Sequence, residues 1–123
     1  AWQGEGMSDL RLHGISIDVP RAEHARAVAF WSGAFGREPE VSDNYPEFAQ
    51  FADVVPGCYV LLQATGGTES GIHLDFATSD RDADIERVAS AGATEVSREF
   101  AWAVMTDPAG LPFCLCPVSG CTA

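Results

Sequence analysis

One pattern occurs twice along these 123 residues and limits the folds open to them: a strand, a helix, then three short strands. The segment Leu12-His-Gly-Ile-Ser-Ile-Asp-Val19 carries Ile15, Ile17 and Val19 at period two, so one face of a strand is buried. Pro20 opens a helical stretch, as proline does in a first turn. Ala25, Val28, Ala29, Ser32 and Phe35 fall on one side at helical spacing, with Trp31 beside them. Gly33 and Gly36 mark the end of that helix. Extended pieces are expected over about Arg37 to Val41, Glu47 to Val54 and Cys58 to Thr65. The breaks at Ser42-Asp-Asn-Tyr-Pro46 and Pro56-Gly57 are turn chemistry.

After the flexible Thr65-Gly-Gly-Thr68 the pattern restarts. Gly71-Ile-His-Leu-Asp-Phe-Ala-Thr78 reads as a strand. Ser79 or Asp80 caps the next helix, and Asp82 and Asp84 sit in its first turn, where the helix dipole favours negative charge. Ile85, Val88 and Ala89 form its buried stripe and Gly92 ends it. Strands follow over Thr94 to Arg98, Phe100 to Thr106 and Pro112 to Val118, the last two joined by Asp107-Pro-Ala-Gly110. The halves also share a local likeness, Phe48-Ala-Gln-Phe-Ala-Asp-Val-Val-Pro56 lying over Phe100-Ala-Trp-Ala-Val-Met-Thr-Asp-Pro108 at one constant offset.

A βαβββ unit is too small to bury both faces of its sheet alone. Two such modules side by side give an α+β fold: a curved eight-stranded mixed sheet, helices on the outer face and a concave face inside. A concave face is a ligand site by default. Ala1 to Gly6, ahead of Met7, read as residues foreign to the fold. That leaves one domain over 7–123, with module one about 11–66 and module two about 71–118.

Charge narrows the partners. Seven Lys and Arg stand against 18 Asp and Glu, a net charge of −11, whereas nucleic-acid and anionic-membrane binders need a basic field. The expectation is therefore no nucleic acid and no membrane. No apolar run approaches the roughly 20 residues of a membrane span. Cys58, Cys114, Cys116 and Cys121 show neither CxxC spacing nor a secretory leader, so a reduced, cytoplasmic protein is expected.

Four stretches carry a family likeness: Ile17-Asp-Val-Pro20 leading to Phe30-Trp31 and Gly36; His73-Leu-Asp-Phe76; Ser90-Ala-Gly-Ala93; and Thr106-Asp-Pro-Ala-Gly-Leu-Pro-Phe-Cys-Leu115. With these the chain resembles the glyoxalase/bleomycin-resistance/extradiol-dioxygenase group, the vicinal oxygen chelate superfamily, and most of all its small glyoxalase-like domains. In metal-using members, the resemblance implies, each half offers one ligand from its first strand and one from its last around a divalent ion that binds substrate oxygens. His73 falls on such a position. The matching position on the last strand is Cys114, where metal-using relatives carry Glu. In the first half, pleat parity puts Ile15 and Ile17 under the helix together with His13. Gly14, Ser16 and Asp18 then face the cavity, and Gly14 on the ligand position donates nothing. Either Leu61 or Gln63 takes the fourth-strand position. No metal is expected; the alternative is one divalent ion held by His73 and Gln63.

The residues expected to line a ligand site are Asp18, Gln63, His73, Asp75, Trp102, Cys114 and Cys116. Asp75 shares a face with His73, and the pair reads either as a proton shuttle or as a buried polar pair that fixes the strand. Asp18 faces the cavity or caps the turn before Pro20. Cys114 and Cys116 share a face as pocket thiols or as small hydrophobes. Trp102, on a strand with Phe100 and Val104, is a stacking wall or core, and Tyr45 and Phe48 raise the same choice. His13 and His24 read as packing and surface residues, Trp31 as helix-to-sheet packing, and the run Asp80-Arg-Asp-Ala-Asp84 as a solvated face. Two functions follow. One is a metal-free pocket that takes a small organic molecule, as bleomycin-resistance-like members do by sequestration, in a homodimer. The other is a lyase, isomerase or dioxygenase-type enzyme using His73 with Asp75, or a weakly held metal. Fold likeness does not choose between them.

Overall fold

The computed structural model describes residues 10–98 and 101–117. The elements run β1 (Arg11–Pro20), a 3-10 turn (Arg21–Glu23), α1 (His24–Phe35), β2 (Glu40–Ser42), β3 (Tyr45–Val55) and β4 (Cys58–Thr65). Then come β5 (Gly71–Thr78), α2 (Arg81–Ser90), β6 (Thr94–Ser97), β7 (Ala103–Thr106) and β8 (Pro112–Pro117). The strands are ordered β2-β3-β4-β1-β5-β8-β7-β6 in one mixed sheet, so each half brings its last strand beside its first. The α+β, eight-stranded expectation is met. By contact the described chain divides into two compact units, residues 13–75 and residues 76–117 with 10–12. Among the described residues no helix is long and apolar enough to cross a membrane.

In the first unit β1 pairs parallel with β4, and β3 pairs antiparallel with β4. The strand β4 is buried from Cys58 to Leu62 because both of its faces are covered, and its apolar run is the sequence signature of that position. One face of the three strands packs Val19, Ala49, Phe51, Val60 and Leu62 against Ala27, Val28, Trp31 and Phe35 of α1. Phe35 meets Phe51 edge to face, with ring centroids 5.1 Å apart. Ile17 packs against this cluster, as its parity predicts.

The helix, however, starts later than Pro20. The 3-10 turn intervenes, so the buried stripe runs through Ala27, Val28, Trp31 and Phe35, while Ala25 and Ala29 are exposed. Gly33 lies inside the helix; Gly36, at φ 68°, ends it with its N–H on the Ser32 carbonyl. His24 is not a free surface residue: its Nε2 lies 3.0 Å from the Leu62 carbonyl, which accepts its proton and ties α1 to β4. The second strand is shorter than expected, and Tyr45 and Pro46 belong to β3 instead of the turn. The Pro56-Gly57 turn stands, with Gly57 at φ 75°.

In the second unit Ile85, Ala103, Met105 and Leu115 form the core, with Phe76, Val88 and Phe113 against it. Asp80 caps α2, its carboxylate accepting the Ala83 N–H. The Asp80–Asp84 run is not wholly solvated. Asp84 is buried, accepts from the buried Thr78 hydroxyl, and takes Arg87 Nε at 3.1 Å. Ala89 is exposed, so the stripe of α2 is narrower than its sequence suggests. In the β7–β8 turn Asp107 Oδ1 accepts from the N–H groups of Ala109 and Leu111. Trp102 sits in a bend ahead of β7 and not on a strand; its expected neighbour Phe100 lies outside the described residues.

Candidate functional site

The face of the first unit opposite α1 carries the chemistry. Register puts both β4 candidates on one face: Gly14 stands beside Tyr59, Ser16 beside Leu61, and Asp18 beside Gln63. Neighbours in register share a face of the sheet. Gly14, Ser16, Asp18, Tyr59, Leu61 and Gln63 therefore line one side, and β5 adds His73 and Asp75. Alternation alone places the polar residues there, because Ile17, Val19, Val60 and Leu62 claim the other side for α1.

These side chains form one chain of hydrogen bonds. Asp18 Oδ2 lies 2.6 Å from His73 Nδ1, and Asp75 Oδ1 lies 3.0 Å from His73 Nε2. The Tyr59 hydroxyl donates to Asp75 Oδ2 at 2.9 Å, and the buried Ser16 hydroxyl donates to Asp18 Oδ1 at 3.1 Å. Gln63 Oε1 stands 3.5 Å from Ser16 Oγ. A serine has one proton, which serves the shorter Asp18 contact; turning the Gln63 amide over would place its N–H₂ on Ser16 Oγ. The His73 and Asp75 side chains are 14% and 7% exposed and Asp18 22%, so these are semi-buried charges and not a surface pair.

Proton counting follows from the geometry. An ionised carboxylate only accepts, so a ring nitrogen facing one carries a proton, whereas a protonated carboxyl would itself donate. His73 facing two carboxylates is an imidazolium, or one aspartate holds the proton in its place. Either way both nitrogens are engaged. The neighbouring Cys58 is a buried free thiol, and burial together with the Asp75 carboxylate pushes it up from its ordinary range, away from a thiolate nucleophile.

The residues fit the implied metal poorly. A ligand offers a nitrogen lone pair, and both nitrogens of His73 are already engaged by carboxylates. A first-strand ligand on Gly14 is blocked as well as missing: a Cβ there would lie 2.1 Å from Tyr59 Cε1 and 2.2 Å from its Cζ. Gln63 turns to Ser16, which in turn donates to Asp18, the partner of His73.

Of the expected site residues the first unit thus gathers Asp18, Gln63, His73 and Asp75. Asp18 bonds His73 instead of capping the turn before Pro20. His13 packs edge-on against the Tyr59 ring, centroids 5.1 Å apart. Tyr45 and Phe48 stack on each other at 5.7 Å. Trp102, Cys114 and Cys116 belong to the second unit, where Trp102 is half-buried and Cys114 is a buried free thiol. Cys116 is buried. Sequence reading put Ser16 on the cavity face without counting it a site residue, and it missed Tyr59. Gly14 was the available signal, since a glycine in a buried strand marks the close approach of another group.

No curated protein matches the chain. Solved structures do. A hypothetical protein of Bacillus halodurans C-125 superposes with a TM-score of 0.67 at 15% identity, over 89% of this chain and 94% of that one. Methylmalonyl-CoA epimerase of Mycobacterium tuberculosis gives 0.61 at 19%, over 94% and 92%. The Streptomyces coelicolor methylmalonyl-CoA epimerase in complex with 2-nitronate-propionyl-CoA gives 0.60 at 18%, over 89% and 98%. At such identities these likenesses show the fold alone. Residues 14–116, which span both βαβββ repeats, match the Glyoxalase-like domain, and the chain belongs to that family.

Proposed function

We propose that this domain binds a small organic molecule without a metal ion, and that the Asp18–His73–Asp75 group is the polar anchor of its site. The observation that carries this reading is the double engagement of His73, Nδ1 with Asp18 at 2.6 Å and Nε2 with Asp75 at 3.0 Å. A ring spent on two carboxylates supplies a fixed charge pattern and a fixed orientation, which recognition uses. Both of its nitrogens are engaged, so a cation would have to displace an aspartate to reach either. The obstruction of Gly14 by the Tyr59 ring supports the same conclusion. Sequestration of the antibiotic-resistance type, in a homodimer, is the form of binding this reading favours. The His73–Asp75 contact keeps a second reading in view, a lyase, isomerase or dioxygenase-type enzyme that moves a proton through that pair.

Metal analysis separates the readings first. Protein purified without chelator should carry no stoichiometric divalent ion, and His73→Ala should change nothing in that count. Near one ion per chain, lost in His73→Ala, would overturn the metal-free site. A thermal-shift screen of aromatic antibiotics and small α-oxo compounds then seeks the ligand. A compound at about 100 times its Kd stabilises by about 2.7 kcal/mol, well within detection. The shift should vanish in His73→Ala, and turnover of a stabilising α-oxo compound would favour the enzyme.

A further inference from the structure

Tyr59 joins two features that sequence reading left apart, the bare Gly14 and the His73–Asp75 pair. Its ring lies against Gly14, whose absent Cβ would stand 2.1 Å from Cε1, 2.2 Å from Cζ and 2.6 Å from Cδ1. Those atoms belong to a stiff ring that is itself 8% exposed, so it has no easy way to yield. At its far end the hydroxyl donates to Asp75 Oδ2 at 2.9 Å, while Asp75 Oδ1 takes His73 Nε2 at 3.0 Å. A carboxylate turns readily about its last torsion. Gripped at one oxygen by a phenol and at the other by an imidazole, this one is fixed.

We infer that Tyr59 is a positioning residue for the anchor: seated on Gly14, its phenol orients Asp75 and through it the Nε2 side of His73. The Asp18 side of the ring does not depend on it, since Ser16 orients that carboxylate separately. The inference rests on the anchor reading above. The two fail differently, because a stoichiometric ion in wild-type protein would overturn the metal-free site and would leave the effect of Tyr59 on Asp75 to be read by itself.

The test is proton NMR of the imidazole N–H groups, which are visible when a hydrogen bond shields them from exchange with water. Wild-type protein should show both His73 signals, assigned by their loss in His73→Ala. Tyr59→Phe keeps the ring and removes one oxygen. It should lose or broaden the Nε2–H signal and keep the Nδ1–H signal, with the backbone amide spectrum otherwise retained. Gly14→Ala pushes the ring off its seat with the hydroxyl intact and should give the same selective loss. A general loosening would weaken both signals together, so selectivity is the signature. Persistence of Nε2–H in either folded variant, its absence from wild-type protein, or equal loss of both signals would overturn the inference; should one variant fail to fold, the other decides.

Discussion

At the level of single residues the two aspartates that hold His73 are not equivalent. Each accepts from two groups, Asp75 from Tyr59 and His73 and Asp18 from Ser16 and His73, but Asp75 is the more buried, whereas Asp18 is 22% exposed and water can replace part of what it loses. Removing one partner of a buried ion pair leaves the other charge uncompensated, at about 3 kcal/mol or more. Asp75→Asn is accordingly expected to cost roughly 3 kcal/mol in urea unfolding at pH 7, and Asp18→Asn distinctly less. Equal losses would mean that the cluster is more open to solvent than its burial indicates. Pleat parity alone made Asp18 and Asp75 legible as neighbours of His73, because each sits two residues from a position already assigned to the cavity face. Tyr59 was not legible in that way. Its importance depends on the β1–β4 register, a pairing between segments distant in the chain, and a two-residue uncertainty there decides whether the ring covers Gly14 or a residue that would clash with it.

Among the elements, the attachment of α2 to β5 depends on a buried polar contact. Thr78 and Asp84 are 1% and 7% exposed, and the threonine hydroxyl is a donor to the Asp84 carboxylate beside Arg87. Thr78→Val conserves shape and removes that donor, along with the acceptor of the Asp80 N–H, while Arg87 still meets the carboxylate. The loss of one hydrogen bond to a buried charge is worth about 1–3 kcal/mol. In a domain of this size that corresponds to a fall in Tm of roughly 4–12 °C. A change under about 1 °C would show that Arg87 and water satisfy Asp84 unaided. The acidic turn was legible as a helix start, and Asp80 and the first-turn acids are where spacing put them. What spacing does not say is that one carboxylate turns inward, because its partner lies on the preceding strand. The phase of α1 slipped for a related reason. A 3-10 turn between Pro20 and His24 shifts the helix, and of two overlapping stripes the one that buries Trp31 and Phe35 removes more apolar surface from water than the one lined by Ala25 and Ala29.

For the molecule as a whole, the repeat and the charge were the most legible features, since both are spread over many residues and survive errors at any one. The charge also bears on stability. All seven basic residues are arginine, facing 18 carboxylates, so the folded chain gathers like charges that the unfolded chain holds farther apart. Against that repulsion stand exposed pairs such as Arg26–Glu23 and the Arg98, Glu95, Asp82 and Arg81 group. The hydrogen bond to Arg98 holds Glu95 below the usual carboxylate range. Exposed pairs contribute at most about 1 kcal/mol each and are screened by the same ions. Repulsion acts over the whole surface and is the larger sum. Adding sodium chloride from about 0.01 M to about 0.1 M shortens the screening length from about 30 Å to about 10 Å, which quenches the distant repulsions and leaves the contact pairs largely in place. The Tm at pH 7 is therefore expected to rise over that interval. Chloride is the salt to use, because sulfate strengthens apolar burial in any protein and would raise Tm for an unrelated reason. A fall in Tm on adding chloride would mean that the arginine pairs, few as they are, outweigh the excess of carboxylates.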